Sequence, residues 1–184
     1  MKFVEPIIDT SKVNVIKDLM MEDGKKELAL LFYFGCYHGL RIGDILKLTF
    51  EDLRKEEFRV IEQKTGKERI IFMPEKVKML FSEIDSPEKS GLIFVSKSNR
   101  NRGAAWSTVY TGNEIKDYCE LAGLHGRYNN HTLRKTFAYT LYQNSNHDLV
   151  LVQQALNHSK VETTRRYLGT YATETQKAIR NLDF

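Results

Sequence analysis

Six side chains scattered along the sequence form one chemical set: Arg41, Lys64, His131, Arg134, His158 and Tyr167. Together they suit phosphoryl transfer. His131 and Arg134 are three positions apart in a segment of helical spacing, so both can project from one face toward one point. Arg41 follows the Gly39 break at the start of another helical segment and can approach the same point from the other side. Two guanidiniums can grip the non-bridging oxygens of a phosphodiester with bidentate hydrogen bonds and stabilise the added charge of a pentacoordinate transition state. With that charge supplied by arginine, neither a metal nor a cofactor is expected.

Tyrosine, with a free pKa of about 10, is a poor nucleophile at neutral pH unless a base or nearby cations favour its phenolate. Tyr167 directly follows Arg165 and Arg166 and lies nine positions after His158. Two histidines are therefore available for proton transfer near neutrality. Lys64 adds an ammonium at a hairpin tip, suited to protonating a departing alkoxide. Taken singly, each residue also fits an ordinary role. Arg41 can pair with Asp44 at i, i+3, Arg134 can cap or solvate a helix, and Lys64 can be a turn lysine.

The rest of the chain supplies a mostly helical scaffold for this set. VNVIKDLM and KKELALLFYFGCYHG carry the apolar spacing of core-facing helices, with Thr10 or Ser11 as the cap of the first. RIGDILKL is a short helical turn. FRVIEQ and ERIIFM flank Lys64-Thr65-Gly66-Lys67 as a β-hairpin. Pro74 opens the helix PEKVKMLFSEI from its first position. WSTVYTGNEIKDYCELAG, HTLRKTFAYTLYQ, HDLVLVQQALN and TETQKAIRNL are helical by spacing, and Gly123 is the expected C-terminal cap. The fold class is therefore mainly α with a small antiparallel β-sheet. Three prolines and no Ser/Gly-rich linker point to one domain over residues 11–184 after an irregular lead-in over residues 1–10.

Composition bounds the setting. The 184 residues are 41% hydrophobic and 28% charged, with no apolar run of the roughly 20 residues that a membrane span needs. The opening MKFVEPIIDT lacks the apolar stretch of a signal peptide, and Cys36 and Cys119 have no metal-ligand spacing. A cytoplasmic setting is expected. From Gly126 to Phe184 the chain carries eight cations against four anions, so the whole net charge of +4 lies there, and residues 1–125 balance. A second basic cluster, Lys97, Arg100 and Arg102, sits in the polar stretch SKSNRNRG. Such clusters are commonly solvated faces, and here they are also candidate contacts to a phosphate backbone, with Lys135, Arg165 and Arg166.

The order of these residues adds a further argument. GLRIGDILKLTFEDL, QKTGKERIIFMP, HTLRKTFAYTL and LNHSKVETTRRYLGTY resemble the successive signature boxes of the tyrosine recombinase (phage integrase) family, over most of the chain. The resemblance assigns the first-box arginine to Arg41 and its bracing acid to Asp44. It assigns the hairpin lysine to Lys64 rather than Lys67, and H-x-x-R to His131 and Arg134. The L-G-H-S-type turn becomes LNHS with His158, and the nucleophile in the E-T-T-x-x-Y-type run is Tyr167, ahead of nearby Tyr171. Asn157 stands where the family usually has glycine. If that turn needs positive φ, Asn tolerates it better than other residues with a side chain, so the turn is expected to survive.

The resemblance implies the catalytic domain of a site-specific recombinase acting on double-stranded DNA. Tyr167 would form a 3′-phosphotyrosyl link, Lys64 would protonate the 5′ oxygen, and His131 would assist the proton transfer. His158 would hydrogen-bond the phosphate, and Arg41 and Arg134 would clamp it. Complete members carry an N-terminal DNA-clamping domain and assemble as tetramers on paired sites. This chain is expected to be the catalytic piece of a longer integrase, monomeric or weakly associated when alone, with TETQKAIRNLDF available for exchange between neighbours. Type IB topoisomerase-like relaxation and a non-catalytic helical DNA-binding module are the competing readings.

Overall fold

The computed structural model describes residues 4–98 and 102–168, with the side chain of Arg166 outside the description. It divides into two compact units, Met1–Phe137 and Ala138–Phe184. Among the described residues the architecture is helical with one two-stranded antiparallel sheet, and no helix is long and apolar enough to cross a membrane.

In the first unit, α1 (Ser11–Glu22) buries Val13, Ile16 and Met20 along one stripe. The next helix, α2 (Lys26–His38), is apolar on nearly all sides, and everything from Leu28 to Gly35 is buried. Such a helix is stable only at the centre of a core. Around it gather Ile7, Ile45, Ile71, Phe94 and Ile115. Neither Thr10 nor Ser11 caps α1 as the sequence suggested. Thr10 is already helical in backbone and its side chain makes no cap bond. The Asp9 carboxylate instead accepts from the Ser11 backbone N–H at 3.0 Å and the Ser11 hydroxyl at 2.6 Å.

The chain leaves α2 through Gly39 in the left-handed region, φ 58°. It then forms the single turns α3 (Ile42–Ile45) and α4 (Phe50–Leu53). The second of these was not read from the sequence. A reciprocal Thr49–Asp52 capping box makes it, a local device that four residues of periodicity cannot reveal. Strands β1 (Glu57–Ile61) and β2 (Glu68–Phe72) pair in the expected hairpin, with Phe58 opposite Ile71 and Val60 opposite Arg69. Pro74 falls at the N-cap of α5 (Glu75–Ser82), one position before the expected one, in extended conformation.

Ser107 caps α6 (Thr108–Leu121). Gly123, φ 75°, ends it with the expected pair of backbone bonds, Gly123 N–H to Glu120 and Leu124 N–H to Cys119. Asn129 opens α7 (Asn130–Asn144): its side chain accepts from the His131 N–H at 2.8 Å while its own N–H donates to the Thr132 hydroxyl at 3.0 Å.

The boundary between units falls within α7. In the second unit, Asp148 caps α8 (Leu149–Ala155) by accepting from the backbone N–H groups of Val150 and Leu151 at 2.9 and 3.0 Å. The last described helix, α9 (Val161–Leu168), was unrecognised in the sequence because Thr163 and Thr164 depress its propensity. TETQKAIRNL lies outside the described residues, as do Arg100 and Tyr171.

Candidate active site

Four of the six sequence-selected residues lie in the first unit, where three links join α3 to the hairpin turn that carries Lys64. The Arg41 guanidinium pairs through Nη1 with the carboxylate of Glu62. Asp44 accepts from the Gln63 backbone N–H through Oδ1 at 3.0 Å. The Gln63 side-chain amide donates to the Gly43 carbonyl at 3.2 Å. Asp44 is thus a brace for the hairpin, and the ionic partner of Arg41 is Glu62. Lys64 itself is exposed at the turn.

Arg134 and His131 come from the start of α7, whose Leu133 and Phe137 side chains reach the α2 backbone at two glycines. A Cβ built on Gly35 would meet the Leu133 side chain at 2.6 Å, and one built on Gly39 would overlap the Phe137 ring. Glycine at 35 and 39 therefore lets Leu133 and Phe137 seat directly on the α2 backbone. This contact carries Arg134, 3% exposed, to the end of α2, where its Nη1 donates to the Gly39 carbonyl. Gly39 lies two residues before Arg41, so the two guanidiniums are tied to the same bend.

The electrostatics agree with this placement. His131 keeps an exposed edge, yet its surroundings hold its pKa below the ordinary imidazole value. Desolvation contributes most, followed by the positive charges of Arg134, Lys135, Lys64 and Arg41. One imidazole thus senses four cations from three separate stretches of sequence. It is kept neutral near pH 7 and able to accept a proton. His131 also borders a cleft of about 650 Å3 whose wall includes Ile42, Asn113, Lys116 and Arg127.

Two charged residues of this region escaped sequence reasoning. Glu62 follows β1 on the face of Phe58 and Val60, and its side chain is completely buried. Arg69, opposite Val60, donates to the His38 carbonyl and lies against the Phe137 ring, 5.9 Å from its centroid. Burial first, then repulsion from Arg134 and Arg41, bring its pKa down to about 10, with attraction to Glu62 opposing the fall. The signal was the strand period of two, which turns positions 58, 60 and 62, and their partners 71 and 69, to the core.

The other two residues lie in the second unit. After α8 the chain closes a left-handed turn with Asn157 at φ 56°. Asn157 N–H donates to Gln154 at 2.9 Å and His158 N–H to Gln153 at 3.0 Å, the bond pair usually built on glycine. Asn157 therefore adopts the left-handed conformation, and the turn survives as expected. The same turn presents His158, whose Nδ1 lies 3.1 Å from the Thr164 hydroxyl on α9. The Tyr167 ring meets the His158 ring edge to face, with centroids 5.7 Å apart.

The candidate backbone contacts differ in setting. Lys97 is exposed and pairs with Glu27 at 2.8 Å, a surface pair of small energetic weight. Arg102 and Arg165 are exposed. Lys135 is buried, and desolvation brings its pKa down to about 8.

A family model described as "Phage integrase family" matches residues 7–174. The chain is 33% identical over 181 residues to the probable integrase/recombinase YoeC of Bacillus subtilis, covering 98% of this chain and 97% of YoeC. It is 28% identical over 157 residues to the tyrosine recombinase XerC of Caldanaerobacter subterraneus, covering 82% of this chain but 42% of that relative. Among solved structures, XerH site-specific recombinase bound to difH substrate in a pre-cleavage complex superposes with a TM-score of 0.70 at 24% identity, over 98% of this chain and 54% of that one. The mainly helical fold with its small hairpin is thereby that of a tyrosine recombinase catalytic domain.

Proposed function

Because the chain belongs to the phage integrase family, we propose that residues 11–184 act as the catalytic domain of a site-specific DNA recombinase. In this reading strands are cut and rejoined through a covalent tyrosine intermediate. The observation that carries it is the tie of Arg41 and Arg134 to one bend, supported by the lowering of the His131 pKa by the charges of Arg134, Lys135, Lys64 and Arg41. Cations gathered on a partly exposed imidazole leave a net positive site that one phosphodiester satisfies.

The Tyr167 oxygen attacks the scissile phosphorus in line with the 5′ oxygen. A 3′-phosphotyrosyl bond forms as the P–O5′ bond breaks. The phenolic proton leaves through His131, which is held neutral and ready to accept it. Lys64 donates a proton to the departing 5′ oxygen. Arg41 and Arg134 stabilise the charge that builds on the non-bridging oxygens, with His158 hydrogen-bonding one of them. The phosphotyrosine conserves the energy of the broken bond, so attack by a 5′-hydroxyl of a partner strand reverses the step without a high-energy cofactor.

The partner in this reading is double-stranded DNA in the cytoplasm, with Arg102 and Arg165 as backbone contacts. Tetramers form on paired sites in the complete protein. The relaxation and binding-only readings are not favoured, since the relatives carry recombinase or integrase names. The test is a nicked suicide DNA substrate resolved on a denaturing gel. The chain gives a covalent protein–DNA adduct, and Tyr167→Phe gives none. An adduct that survives this change assigns the nucleophile elsewhere.

A further inference from the structure

Glu62 does two things with one residue. Its main chain closes the Lys64 turn: the Glu62 carbonyl accepts from Thr65 N–H at 3.2 Å and Gly66 N–H at 2.8 Å, and its N–H donates to Lys67 at 3.0 Å. Its carboxylate oxygen Oε2 accepts from the Arg41 guanidinium and also from the Thr65 hydroxyl, the latter at 3.1 Å. A single oxygen atom therefore holds the arginine and the turn that bears the lysine.

The setting is unfavourable for a carboxylate kept only for stability. The side chain is completely buried, at a core-facing position just past β1 that an apolar residue would fill without desolvating a charge. Its other oxygen, Oε1, is buried with no hydrogen-bond partner among the described residues, whereas a carboxylate serving the fold alone is ordinarily satisfied at both oxygens. Arg41 retains 23% side-chain exposure, so the pair leaves part of the guanidinium open.

We propose that Glu62 is a positioning residue that fixes Arg41 and the Lys64 turn as one rigid unit, an inference that rests on the recombinase reading of the site. Arg41 acts on the non-bridging oxygens and Lys64 on the leaving oxygen of the same phosphorus. Anchoring both to Oε2 sets their separation before DNA arrives. Such pre-setting matters because a displacement of about 1 Å in a catalytic group costs on the order of 100-fold in rate.

The experiment compares Glu62→Gln, which keeps the shape and removes the charge, with Thr65→Val, which leaves the Arg41 pair and removes the hydroxyl that links the turn to Oε2 and accepts from Lys67 N–H at 3.4 Å. Adduct formation is timed at saturating DNA on an ordinary substrate and on one with a bridging 5′ sulfur, whose thiolate leaves without a general acid. DNA affinity is measured alongside. Glu62→Gln is expected to slow cleavage of the ordinary substrate about 10- to 100-fold with affinity changed less than about threefold. Part of that loss is recovered on the sulfur substrate. Thr65→Val is expected to lose less and to recover fully there, because its Arg41 pair is intact.

Equal losses in affinity and rate, or a Thr65→Val defect that sulfur does not relieve, overturn the proposal. If Glu62→Gln does not fold, the change at exposed Thr65 still decides between the outcomes. Amide hydrogen exchange at residues 63–66 supplies a reading independent of activity. Faster exchange in both variants is expected, and unchanged exchange overturns the clip. A parent chain that forms no adduct on either substrate defeats the recombinase reading instead, and the exchange data still judge Glu62.

Discussion

The two units hold their candidate catalytic side chains by different means. In the first, the links run between remote stretches: Arg134 to the Gly39 carbonyl across 95 positions, and Arg41 to Glu62 across 21. In the second they are local, with Asp148 bonding two and three residues ahead and His158 meeting Thr164 six residues on. The cationic site is therefore a product of tertiary packing and exists only when the core does. The second unit's described helices follow one another over a short length of chain, α8 set by its Asp148 cap and α9 reached through the Asn157 turn. A substitution in the first unit should therefore couple stability to chemistry, whereas one in the second should separate them.

The sharpest way to break this contrast is Arg134→Ala. Loss of a charge-stabilising donor is expected to slow adduct formation about 100- to 1,000-fold, with a much smaller effect on DNA affinity. Single-turnover cleavage and a binding titration read the two quantities, and equal losses would make Arg134 a ground-state contact.

Next in size is Gly39→Ala. The added methyl meets the Phe137 ring in a backbone conformation with φ 58°, so a destabilisation of about 2–4 kcal/mol is expected from overpacking and left-handed strain together. Cleavage should fall as well, because the Gly39 carbonyl receives Arg134. Urea unfolding and the suicide substrate measure both. A stable variant with intact cleavage would show that the α2–α7 contact does not set the arginines.

For the second unit, Asp148→Ala removes a cap and is expected to cost about 1 kcal/mol, read as a shift in urea midpoint. A cleavage rate unchanged once the protein is folded supports the local character of that unit. A rate loss as large as that of Gly39→Ala contradicts it.

The smallest effect is a dependence on pH that belongs to the first unit. Burial lowers the pKa of His131, with the neighbouring cations adding to it. It also lowers that of His38, whose ring nitrogens face the carbonyls of Phe34 and Phe72. Above the unfolded imidazole pKa of about 6.5 neither state binds these protons, so stability is level. Below it the unfolded chain takes up protons that the folded one refuses, and stability falls toward the folded values. Urea midpoints at pH 7.5 and 5.5 test this, and His38→Gln should narrow the difference between them.

The same contrast explains what the sequence made legible. His131 and Arg134 could be paired from their spacing, the Lys64 hairpin from its turn residues, and the left-handed tolerance of Asn157 from its chemistry, since each follows a local rule. Glu62 and Arg69 did not stand out. A charged residue beside a turn reads as solvated, and only the completed register shows that both face the core. Asp44 was correctly picked out as acidic and close to Arg41, but its partner is the Gln63 N–H, which no spacing rule identifies. The helices α4 and α9 were missed for a related reason. One rests on a capping box four residues long, and the other carries paired threonines in its first half.

The crowding of Arg41, Arg69 and Arg134 has a thermodynamic consequence of its own. Their mutual repulsion, which adds to burial in depressing the basicity of Arg69, is offset within the protein in part by Glu62, and a bound polyanion would relieve it further. By linkage, whatever binds there tightens the fold. Under the recombinase reading, the chain bound to DNA is therefore expected to resist unfolding better than the free chain.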